Sequence, residues 1–303
     1  MNHYYSHGKL LLAGEYAVLD GVLALALPTV FGQSLTILDH EVPGQLIWES
    51  YQSDGVLWFS GQMDADQLRF KICSDATIGQ RLERLFKSAR SLNPSFLTKG
   101  EGHKASSQLE FPNNWGLGSS STLINNIAQW AEVNPYTLSN LSFGGSGYDI
   151  AAAQNTQVFT YQNIDNTPIV RPITLPWTFT QNIYFVHLNK KQDSRLAIER
   201  YRRHEMKQEW RNRIDACVAS IIKVKSLEHM IPLIQEHEQL ISQALGLKTI
   251  QERLFQDYTG VIKSLGGWGG DFIMAIGPDH TPEYFNKLGY QTVISFDEMT
   301  QKK

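Results

Sequence analysis

The chain has 303 residues, of which 42% are hydrophobic and 19% are charged. That composition is typical of a folded globular protein and excludes a disordered chain, which would contain fewer apolar and more charged residues. The formal net charge of −3 provides no broad basic field, which argues against nucleic acid or an anionic membrane surface as a partner. Any positive charge that a phosphorylated ligand requires must therefore be local.

Cysteine usage and hydropathy bound the setting of the protein. Cys73 and Cys217 are too few and too far apart in sequence for a disulfide framework or a zinc site, which favours a reducing, cytoplasmic setting. The sequence has no uninterrupted apolar stretch of about 20 residues, which a membrane-spanning helix would require, and the apolar run at 10–13 lacks the cationic leader of a signal peptide. We expect a soluble protein that binds a small-molecule substrate, and the sequence leaves a homodimer open.

The first half of the chain alternates strand and helix patterns. Short β-like runs separated by Gly, Pro and Asp indicate antiparallel strands, and apolar residues spaced by three and four indicate helices. The predicted elements are, in chain order, a strand over 4–13, a turn over 14–20, an apolar run over 22–27 closed by Pro28, short strands within 32–60, a helix over 76–90, a strand over 107–111, a helix from Ser119 capped by its serines, and a helix followed by a strand after 149.

The second half continues with more helix. Its predicted elements are the strand NIYFVHLN, a long charged helix over about 193–226, helices over roughly 228–245 and 248–264, the strands DFIMAIG and TVISF, and a helix PEYFNKL between those two strands. The proline-spaced stretch near 166–176 is the best candidate boundary. We therefore expect an N-terminal nucleotide-binding domain at 1–172 and a C-terminal domain at 173–303.

The stretch GLGSSS at 116–121 lies between a predicted strand and a predicted helix. A polyphosphate-binding loop needs small residues, because backbone N–H groups must approach the phosphate oxygens, and it gains from the positive end of a helix directly behind it. No lysine follows the glycines, so this is not a Walker A loop, and Lys9 is the natural candidate for the missing cation. Taken singly, the loop is also compatible with a simple helix-entry turn, and Lys9 with a solvated surface charge.

Two further glycine-rich turns follow. In GGSGYDIAAA at 144–153, Asp149 stands at a helix entrance, where it could cap the helix or orient a substrate hydroxyl that attacks a phosphate. The stretch SLGGWGGDFIMAIG at 264–277 could be a tight hairpin or a backbone that closes over a ligand. Three glycine turns in this order, with a lysine in the first strand, make a combination that unrelated folds rarely produce.

Three segments resemble, in order, the three motifs of the galactokinase, homoserine, mevalonate and phosphomevalonate (GHMP) kinase superfamily: HGKLLLAGEYAVLDGVLALALP, PNNWGLGSSS and LGGWGGD. The resemblance extends from about residue 6 to 277. It implies an α+β fold with an N-terminal mixed-sheet domain, similar to the second domain of ribosomal protein S5, and a C-terminal ferredoxin-like domain. It also implies ATP and Mg²⁺ as cofactors.

The resemblance assigns roles to the matching positions. Lys9 would reach the transferred phosphate or the substrate, Asp149 would be the catalytic aspartate, and a hydroxyl of Ser119 or Ser120 would lie near Mg²⁺. The nucleotide-binding residues it implies are Gly116, Leu117, Gly118, Ser119, Ser120 and Ser121. The substrate-binding residues it implies are Lys9, Glu15, Ser146, Gly147, Gly267, Gly269 and Arg195.

Within the superfamily, the Ala-Gly-Glu-Tyr, Asp-Ile-Ala-Ala and Gly-Gly-Asp segments are more similar to phosphomevalonate kinases than to mevalonate kinases. A phosphorylated substrate needs a local cationic pocket. Such a pocket could be formed by Lys9, Lys190, Lys191 and Arg195. The chain departs from mevalonate kinases in having no acid between Glu132 and Asp149, where they place a Mg²⁺-binding glutamate, and in carrying Trp268 in the third motif, where the superfamily has a small residue.

Two interpretations from other classes remain beside the kinase. A non-catalytic, regulatory nucleotide-binding protein would keep the glycines, but the joint presence of Lys9, the serines and Asp149 favours an enzyme. A dinucleotide-binding oxidoreductase requires G-x-G-x-x-G after a parallel strand, and GLGSSS lacks the third glycine. The sequence therefore predicts an ATP-dependent kinase of the mevalonate pathway, which serves isoprenoid biosynthesis. Phosphomevalonate is the favoured substrate, and a mevalonate kinase or another sugar or alcohol kinase of the superfamily is the alternative.

Overall fold

The computed structural model describes residues 1–98, 100–190, 194–203 and 206–300, without the side chains of 194–197. The strands within these ranges are β1 (Asn2–Ala13), β2 (Ala24–His40), β3 (Gln45–Tyr51), β4 (Leu57–Asp64), β5 (Arg69–Cys73), β6 (Gly102–Leu109), β7 (Phe159–Ile164), β8 (Thr167–Pro172), β9 (Ile183–His187), β10 (Val261–Ser264), β11 (Phe272–Ile276) and β12 (Val293–Ser295).

The helices lie mostly in two groups, between β6 and β7 and between β9 and β10. They are α1 (Ala76–Leu92), α2 (Ser119–Trp130), α3 (Pro135–Ser142), α4 (Tyr148–Gln154), α5 (Ser194–Arg202), α6 (Gln208–Lys223), α7 (Leu227–Leu245), α8 (Ile250–Leu254), α9 (Thr281–Lys287) and α10 (Phe296–Thr300), with short 3₁₀ helices at Ala17–Asp20 and Thr180–Asn182. Across the described ranges, no helix combines the length and the apolar character needed to cross a membrane.

The strands form two sheets. The larger has eight strands in the order β5-β4-β3-β6-β2-β7-β8, with β1 paired to β2. It is mixed, because β3 and β6 pair in parallel whereas β2 pairs antiparallel with both β6 and β7. The smaller sheet is antiparallel throughout, in the order β10-β11-β9-β12. These two sheets with their helices confirm the predicted α+β class.

The first compact unit comprises residues 1–8, 31–113 and 118–154. Its core lies between the large sheet and helices α1 to α3, and the buried Trp48 of β3 meets Phe86 of α1 edge to face with ring centroids 5.5 Å apart. The helix α1 begins at Asp75, whose carboxylate accepts the N–H groups of Thr77 and Ile78. A polar cap and a buried apolar stripe thus define this helix, as its sequence pattern predicts.

The second compact unit comprises residues 9–30, 114–117 and 155–303. Its core includes β9 and β11 of the small sheet and an aromatic cluster in which Phe255 and Phe285 lie 5.2 Å apart, edge to face. The two compact units are therefore discontinuous in sequence, whereas the predicted division at residue 172 assumes contiguous domains. That division stays a prediction.

The sequence pattern predicted that Pro28 ends the second apolar run, and this prediction is wrong. The strand β2 continues through Pro28 to His40. The residues of β2 that pair with β7 are 24–26, and those that pair with β6 begin at Gln33. Pro28 lies between these two stretches, so its missing N–H removes no bond from either ladder.

The prediction of a helix over 248–264 is wrong for most of its length. Only α8 (Ile250–Leu254) is helical, and β10 (Val261–Ser264) pairs with β11. All four residues of β10 are buried, although Lys263 and Ser264 are polar, and periodicity does not distinguish a strand from a helix in so short a buried segment. Pairing with β11, which lies next in sequence, determines the outcome.

The long charged segment after residue 193 is two helices, α5 and α6, where one was predicted. Each is anchored separately: Tyr201 of α5 donates a hydrogen bond to Asp20 at 2.5 Å, and the indole N–H of Trp210 on α6 donates to the carbonyl of Leu240 at 3.0 Å.

Helix α3 was not predicted, although Asn134 caps it and Pro135 stands in its first turn, both of which are helix-start signals.

Candidate functional site

Lys9 lies in β1 next to the glycine loop that was predicted to hold phosphates. Its ammonium group donates a hydrogen bond to the carbonyl of Gly116 at 3.0 Å, and its backbone N–H donates to the carbonyl of Leu117 at 3.0 Å. Two bonds from one residue fix the loop against β1. A cation is thus held beside the glycine loop without any lysine in the loop itself.

Aromatic packing holds the beginning of the loop in place. Trp115 packs edge to face on Phe272 of β11 at 5.4 Å and tilted against His187 of β9 at 6.3 Å. The His187 ring nitrogen Nε2 lies 3.1 Å from the carbonyl oxygen of Asn114. Leu117 is fully buried, so any contact of Leu117 with a nucleotide would be made through its backbone.

Asp271, at the end of the third glycine turn, lies against Gly116. A Cβ atom on Gly116 would stand 2.5 Å from the carboxyl carbon of Asp271, and the glycine adopts a φ of +69°. Asp271 is 8% exposed, and its N–H donates to the carbonyl of Lys190 at 2.6 Å. Gly116 of the second motif thus contacts Lys9 of the first motif and Asp271 of the third. Through Asp271, the third motif also contacts Lys190, where the predicted cationic stretch starts. All four residues belong to the second unit.

Asp271 ends the Gly-Gly-Asp segment of the resemblance but is not among the predicted site residues. The available signal was an acid directly after a Gly-rich turn and before a strand. A carboxylate there predicts little by itself, because chain neighbours do not reveal which glycine it contacts. The requirement for glycine at position 116 becomes visible only when both residues are in place.

Tyr16 links the first motif to the third. Its hydroxyl lies 3.4 Å from the carbonyl oxygen of Gly266, and its ring stacks on Tyr201 at 5.7 Å. Tyr16 has a φ of 61° and a ψ of −46°, an unfavourable conformation for a residue with a Cβ. The surrounding contacts must hold it there.

Glu15 belongs to a buried charged cluster. Its Oε1 accepts a short hydrogen bond from the ammonium of Lys263, which also lies 3.5 Å from Glu238 Oε1. The hydroxyl of Ser264 donates to Glu238 Oε2 at 2.8 Å, and the Gly14 N–H donates to His237 Nε2 at 3.0 Å. The side chains of Glu15, His237, Glu238 and Lys263 are at most 4% exposed.

Burial dominates the acid–base behaviour of this cluster. It raises the pKa of Glu238 to about 7 against the opposing effect of Lys263, and it raises the pKa of Glu15, again opposed by Lys263. Burial, with a smaller effect from the Lys263 charge, keeps the pKa of His237 well below its ordinary value. Glu15 was predicted to bind substrate, and the structure places its carboxylate on Lys263; a direct substrate contact stays an untested prediction.

The serines after the glycines lie in the first turn of α2. The N-cap is Gly118, with φ +89°, and it makes no side-chain cap; the prediction that the serines cap the helix is therefore wrong. Ser121 is buried and donates to the Gly118 carbonyl at 2.8 Å. The Ser119 hydroxyl is half-buried and lies 3.3 Å from Asn113 Oδ1, and Ser120 is exposed. Ser119 and Ser120 are thus better placed for a ligand than Ser121.

Asp149 lies in the first turn of α4, just after Ser146 and Gly147. Its carboxylate accepts the N–H of Ile150 at 3.1 Å. Burial raises the pKa of Tyr136 to about 12, and the negative charge of Asp149 adds to that shift. The carboxylate therefore lies close enough to Tyr136 for its charge to act on the phenol.

The third turn connects β10 and β11, which pair antiparallel as a hairpin; closure of its backbone over a ligand stays a prediction. Gly267 is buried, and Gly269 has φ +137°. Trp268 is buried at φ 57°, and its indole N–H has no hydrogen-bond partner among the described residues. The side chain of Arg195 and all of Lys191 lie outside the described residues.

No family model matches the sequence, and no curated protein matches it. Solved structures match almost the whole chain. The Methanococcus jannaschii mevalonate kinase superimposes with a TM-score of 0.71 at 17% identity, covering 97% of this chain and 96% of that one. The Streptococcus pneumoniae phosphomevalonate kinase in complex with phosphomevalonate and AMPPNP gives 0.70 at 16% identity, covering 98% of each chain. The Lactococcus lactis galactokinase complexed with galactose gives 0.67 at 13% identity, covering 97% and 92%.

This chain has the GHMP kinase fold. The predicted fold class is thereby confirmed by structures whose sequences are too distant to carry more than the fold.

The resemblance predicts Mg²⁺ near a hydroxyl of Ser119 or Ser120. Across the described ranges, no group of three or more His, Cys, Asp and Glu side chains could hold a metal ion. Mg²⁺ is usually bound through few protein oxygens together with substrate phosphates. The accessible hydroxyls of Ser119 and Ser120 fit a Mg²⁺ that arrives with a nucleotide, and the lack of an acidic cluster does not conflict with it.

Proposed function

We propose that this protein is an ATP-dependent kinase that transfers the γ-phosphate of ATP to a small-molecule hydroxyl or phosphate. The observation that carries the proposal is the Lys9 ammonium, which donates to the carbonyl of Gly116 in the glycine loop. Phosphoryl transfer depends on positive charge positioned beside the phosphates more than on covalent chemistry by the protein. The GHMP kinase fold supports the same interpretation.

Lys9, Ser119, Ser120 and Asp149 each have a part in this proposal. Lys9 neutralises charge on the transferred phosphate, and the first turn of α2 presents backbone N–H groups and the hydroxyls of Ser119 and Ser120 to the polyphosphate. Asp149 orients the attacking group and holds its proton. Mg²⁺ bound with the nucleotide would supply further neutralisation of the phosphate charge.

The acceptor that we propose is phosphomevalonate, with mevalonate as the alternative. The support for phosphomevalonate over mevalonate is the Gly-Glu-Tyr, Asp-Ile-Ala-Ala and Gly-Gly-Asp combination in the sequence, because solved mevalonate and phosphomevalonate kinases match the fold of this chain about equally well. A phosphomonoester carries about −1.5 to −2 charge at pH 7 and needs cations. Lys190 is exposed, and its carbonyl accepts the N–H of Asp271 at 2.6 Å. The backbone of one residue of the predicted cationic pocket therefore lies next to the third turn.

The experiment is a panel that measures ADP release with ATP and Mg²⁺ and four acceptors: mevalonate, phosphomevalonate, homoserine and galactose. We expect the highest kcat/KM with phosphomevalonate. Asp149→Asn should lower kcat by about 10²–10⁴-fold, the usual contribution of a positioned acid–base group, and should leave ATP binding within a few-fold of the wild type. Asp54→Asn, in an exposed turn, is the matched control and should behave as the wild type.

The outcomes separate the alternatives. Turnover of mevalonate without turnover of phosphomevalonate would reject the proposed acceptor and keep the kinase. ATP binding without ADP release for any acceptor would favour a non-catalytic nucleotide-binding protein. No ATP binding at all would reject the proposal.

A further inference from the structure

Lys263 faces two carboxylates inside the second unit. Its ammonium bonds to Glu15 and lies 3.5 Å from Glu238 Oε1. Glu15 Oε2 and Glu238 Oε1 are buried and have no hydrogen-bond partner within the described residues. One lysine cannot neutralise two ionised carboxylates, and an uncompensated buried charge is costly.

His237 does not supply the second positive charge. Its Nε2 accepts the N–H of Gly14 at 3.0 Å, so that nitrogen carries a lone pair and the ring is neutral. Glu15 Oε2 lies 3.5 Å from the same nitrogen, which has no proton to donate to it. Among the described residues, a proton on one of the two carboxyl groups is the remaining way to balance the charge of the cluster.

Glu238 is the better holder of that proton. Glu15 accepts the short bond from Lys263, whereas Glu238 accepts from two neutral donors, the hydroxyl and the backbone N–H of Ser264, and lies farther from the ammonium. The pKa of Glu238, raised by burial to about 7, agrees with a carboxyl that is protonated in mildly acidic solution. Cys217 of α6 is a further described group whose pKa responds to the charges of Lys263 and Glu15; burial, the largest cause, raises that pKa to about 11, so the thiol stays neutral.

We propose that Lys263 and Glu238 are positioning residues for the first motif: Lys263 holds the turn of residues 14–16 through Glu15, and loss of the Glu238 proton to solvent weakens that hold. Once ionised, Glu238 competes with Glu15 for the single ammonium group. The catalytic meaning of this inference rests on the proposed function, since β1, the strand that contains Lys9, ends directly before this turn.

The turn has little freedom to adapt if Glu15 moves. A Cβ on Gly14 would lie 2.6 Å from the carbonyl oxygen of Leu23, and the Gly14 N–H and the Tyr16 hydroxyl are each engaged, with His237 and Gly266 respectively. Displacement of Glu15 would therefore disturb the contact of the first motif with the third. The effect should reach ligand binding without any direct contact between Glu238 and the ligand.

Hydrogen exchange tests the inference without relying on catalysis. In the wild type, we expect the protection factor of the Gly14 amide to fall by up to about tenfold between about pH 6 and about pH 8, following the protonated fraction of a group that titrates near pH 7. In Glu238→Gln, which mimics the protonated carboxyl, it should change by less than about twofold over the same range. Glu236→Gln, on the same helix but exposed and paired with Arg213, is the matched control and should retain the wild-type profile.

A second variant gives a directional check. Ser264 donates to Glu238 and lowers its pKa, so Ser264→Ala should move the fall in protection to higher pH. A pH-independent protection factor in the wild type, or an unchanged fall in Glu238→Gln, would overturn the inference.

The same proteins should then be titrated with ATP. A wild-type affinity that weakens with the same midpoint, and that is pH-independent in Glu238→Gln, supports the link to Lys9. If ATP does not bind at all, the proposed function fails, while hydrogen exchange still decides whether the buried cluster holds the turn. If ATP binds with a pH dependence that is the same in both proteins, the link to the ligand fails and the kinase proposal stands.

Discussion

At Gly116, the backbone conformation and the neighbouring side chain both require glycine. Its φ of +69° disfavours any side chain, and the carboxylate of Asp271 occupies the space that a Cβ would need. Gly55 has a similar φ of +82°, but a Cβ added there would meet no atom within 4 Å. Comparing substitutions at Gly116 and Gly55 therefore separates the cost of backbone strain from the cost of the steric contact with Asp271.

We expect Gly116→Ala to lower the free energy of unfolding by about 2–4 kcal/mol, the sum of left-handed strain and overpacking. Gly55→Ala should cost only the strain, about 1–2 kcal/mol. Urea denaturation of the two variants measures the difference. Equal losses would mean that Asp271 yields without cost, and the double variant Gly116→Ala/Asp271→Ala should recover part of the loss if the carboxylate is the obstacle.

At the scale of the element, buried hydrogen bonds join α2 to the strands on which it packs. Asn126 donates to the carbonyl of Gln33 at 2.9 Å and accepts from Ser6 at 2.7 Å. The Thr122 hydroxyl donates to Gln33 Oε1 at 2.6 Å, and the Gln33 amide donates to Ser107 at 2.6 Å. This network fixes the helix whose first turn carries the serines, and no local sequence pattern singles out its members.

Thr122→Val keeps the shape of the side chain and removes its hydroxyl. We expect a loss of about 1–3 kcal/mol, because Gln33 Oε1 would be buried without that donor. Thr122→Ser keeps the donor and deletes one methyl group, at about 1 kcal/mol. Denaturant titration compares the two, and a valine variant as stable as the serine variant would show that the bond makes no net contribution.

At the scale of the whole molecule, the buried cluster should shape the dependence of stability on pH. The pKa of Glu238 is raised in the folded state, so its stabilising contribution is complete below its unfolded value near 4.5 and is lost as pH rises through about 7. The pKa of His237 is depressed, so its contribution is present above about 6.5 and is lost as pH falls. As the pH rises from about 4.5 to about 7, the stabilising contribution of Glu238 decreases, whereas that of His237 increases until it is complete at about pH 6.5.

The difference between Glu238→Gln and the wild type isolates the first contribution. We expect the variant to gain on the order of 1–3 kcal/mol relative to the wild type as pH rises from about 5 to about 8. Chemical denaturation at several pH values measures it, with Glu236→Gln as the exposed control. A constant difference across this range would show that Glu238 is ionised throughout or that its proton does not affect folding.

The sequence alone determined the order of the motifs and most of the elements between them. Glycine at 116 and 118, the lysine at 9 and the apolar stripe of α1 are local signals, because each depends on residues within a few positions and on the period of a helix or strand. The same local rules failed at Pro28 and over 255–264, where partner strands decided the outcome.

Only the tertiary structure decided which of these residues touch. The bond from Lys9 to Gly116, the packing of Asp271 on Gly116 and the pairing of Glu15 with Lys263 join residues 107, 155 and 248 positions apart. Periodicity carries no information at such separations, and a buried lysine on a strand looks like any other interruption of an apolar run. Lys263 is buried because the carboxylate of Glu15, near the other end of the chain, pairs with its ammonium group. A charged group is buried only where an opposite charge and hydrogen bonds replace its hydration.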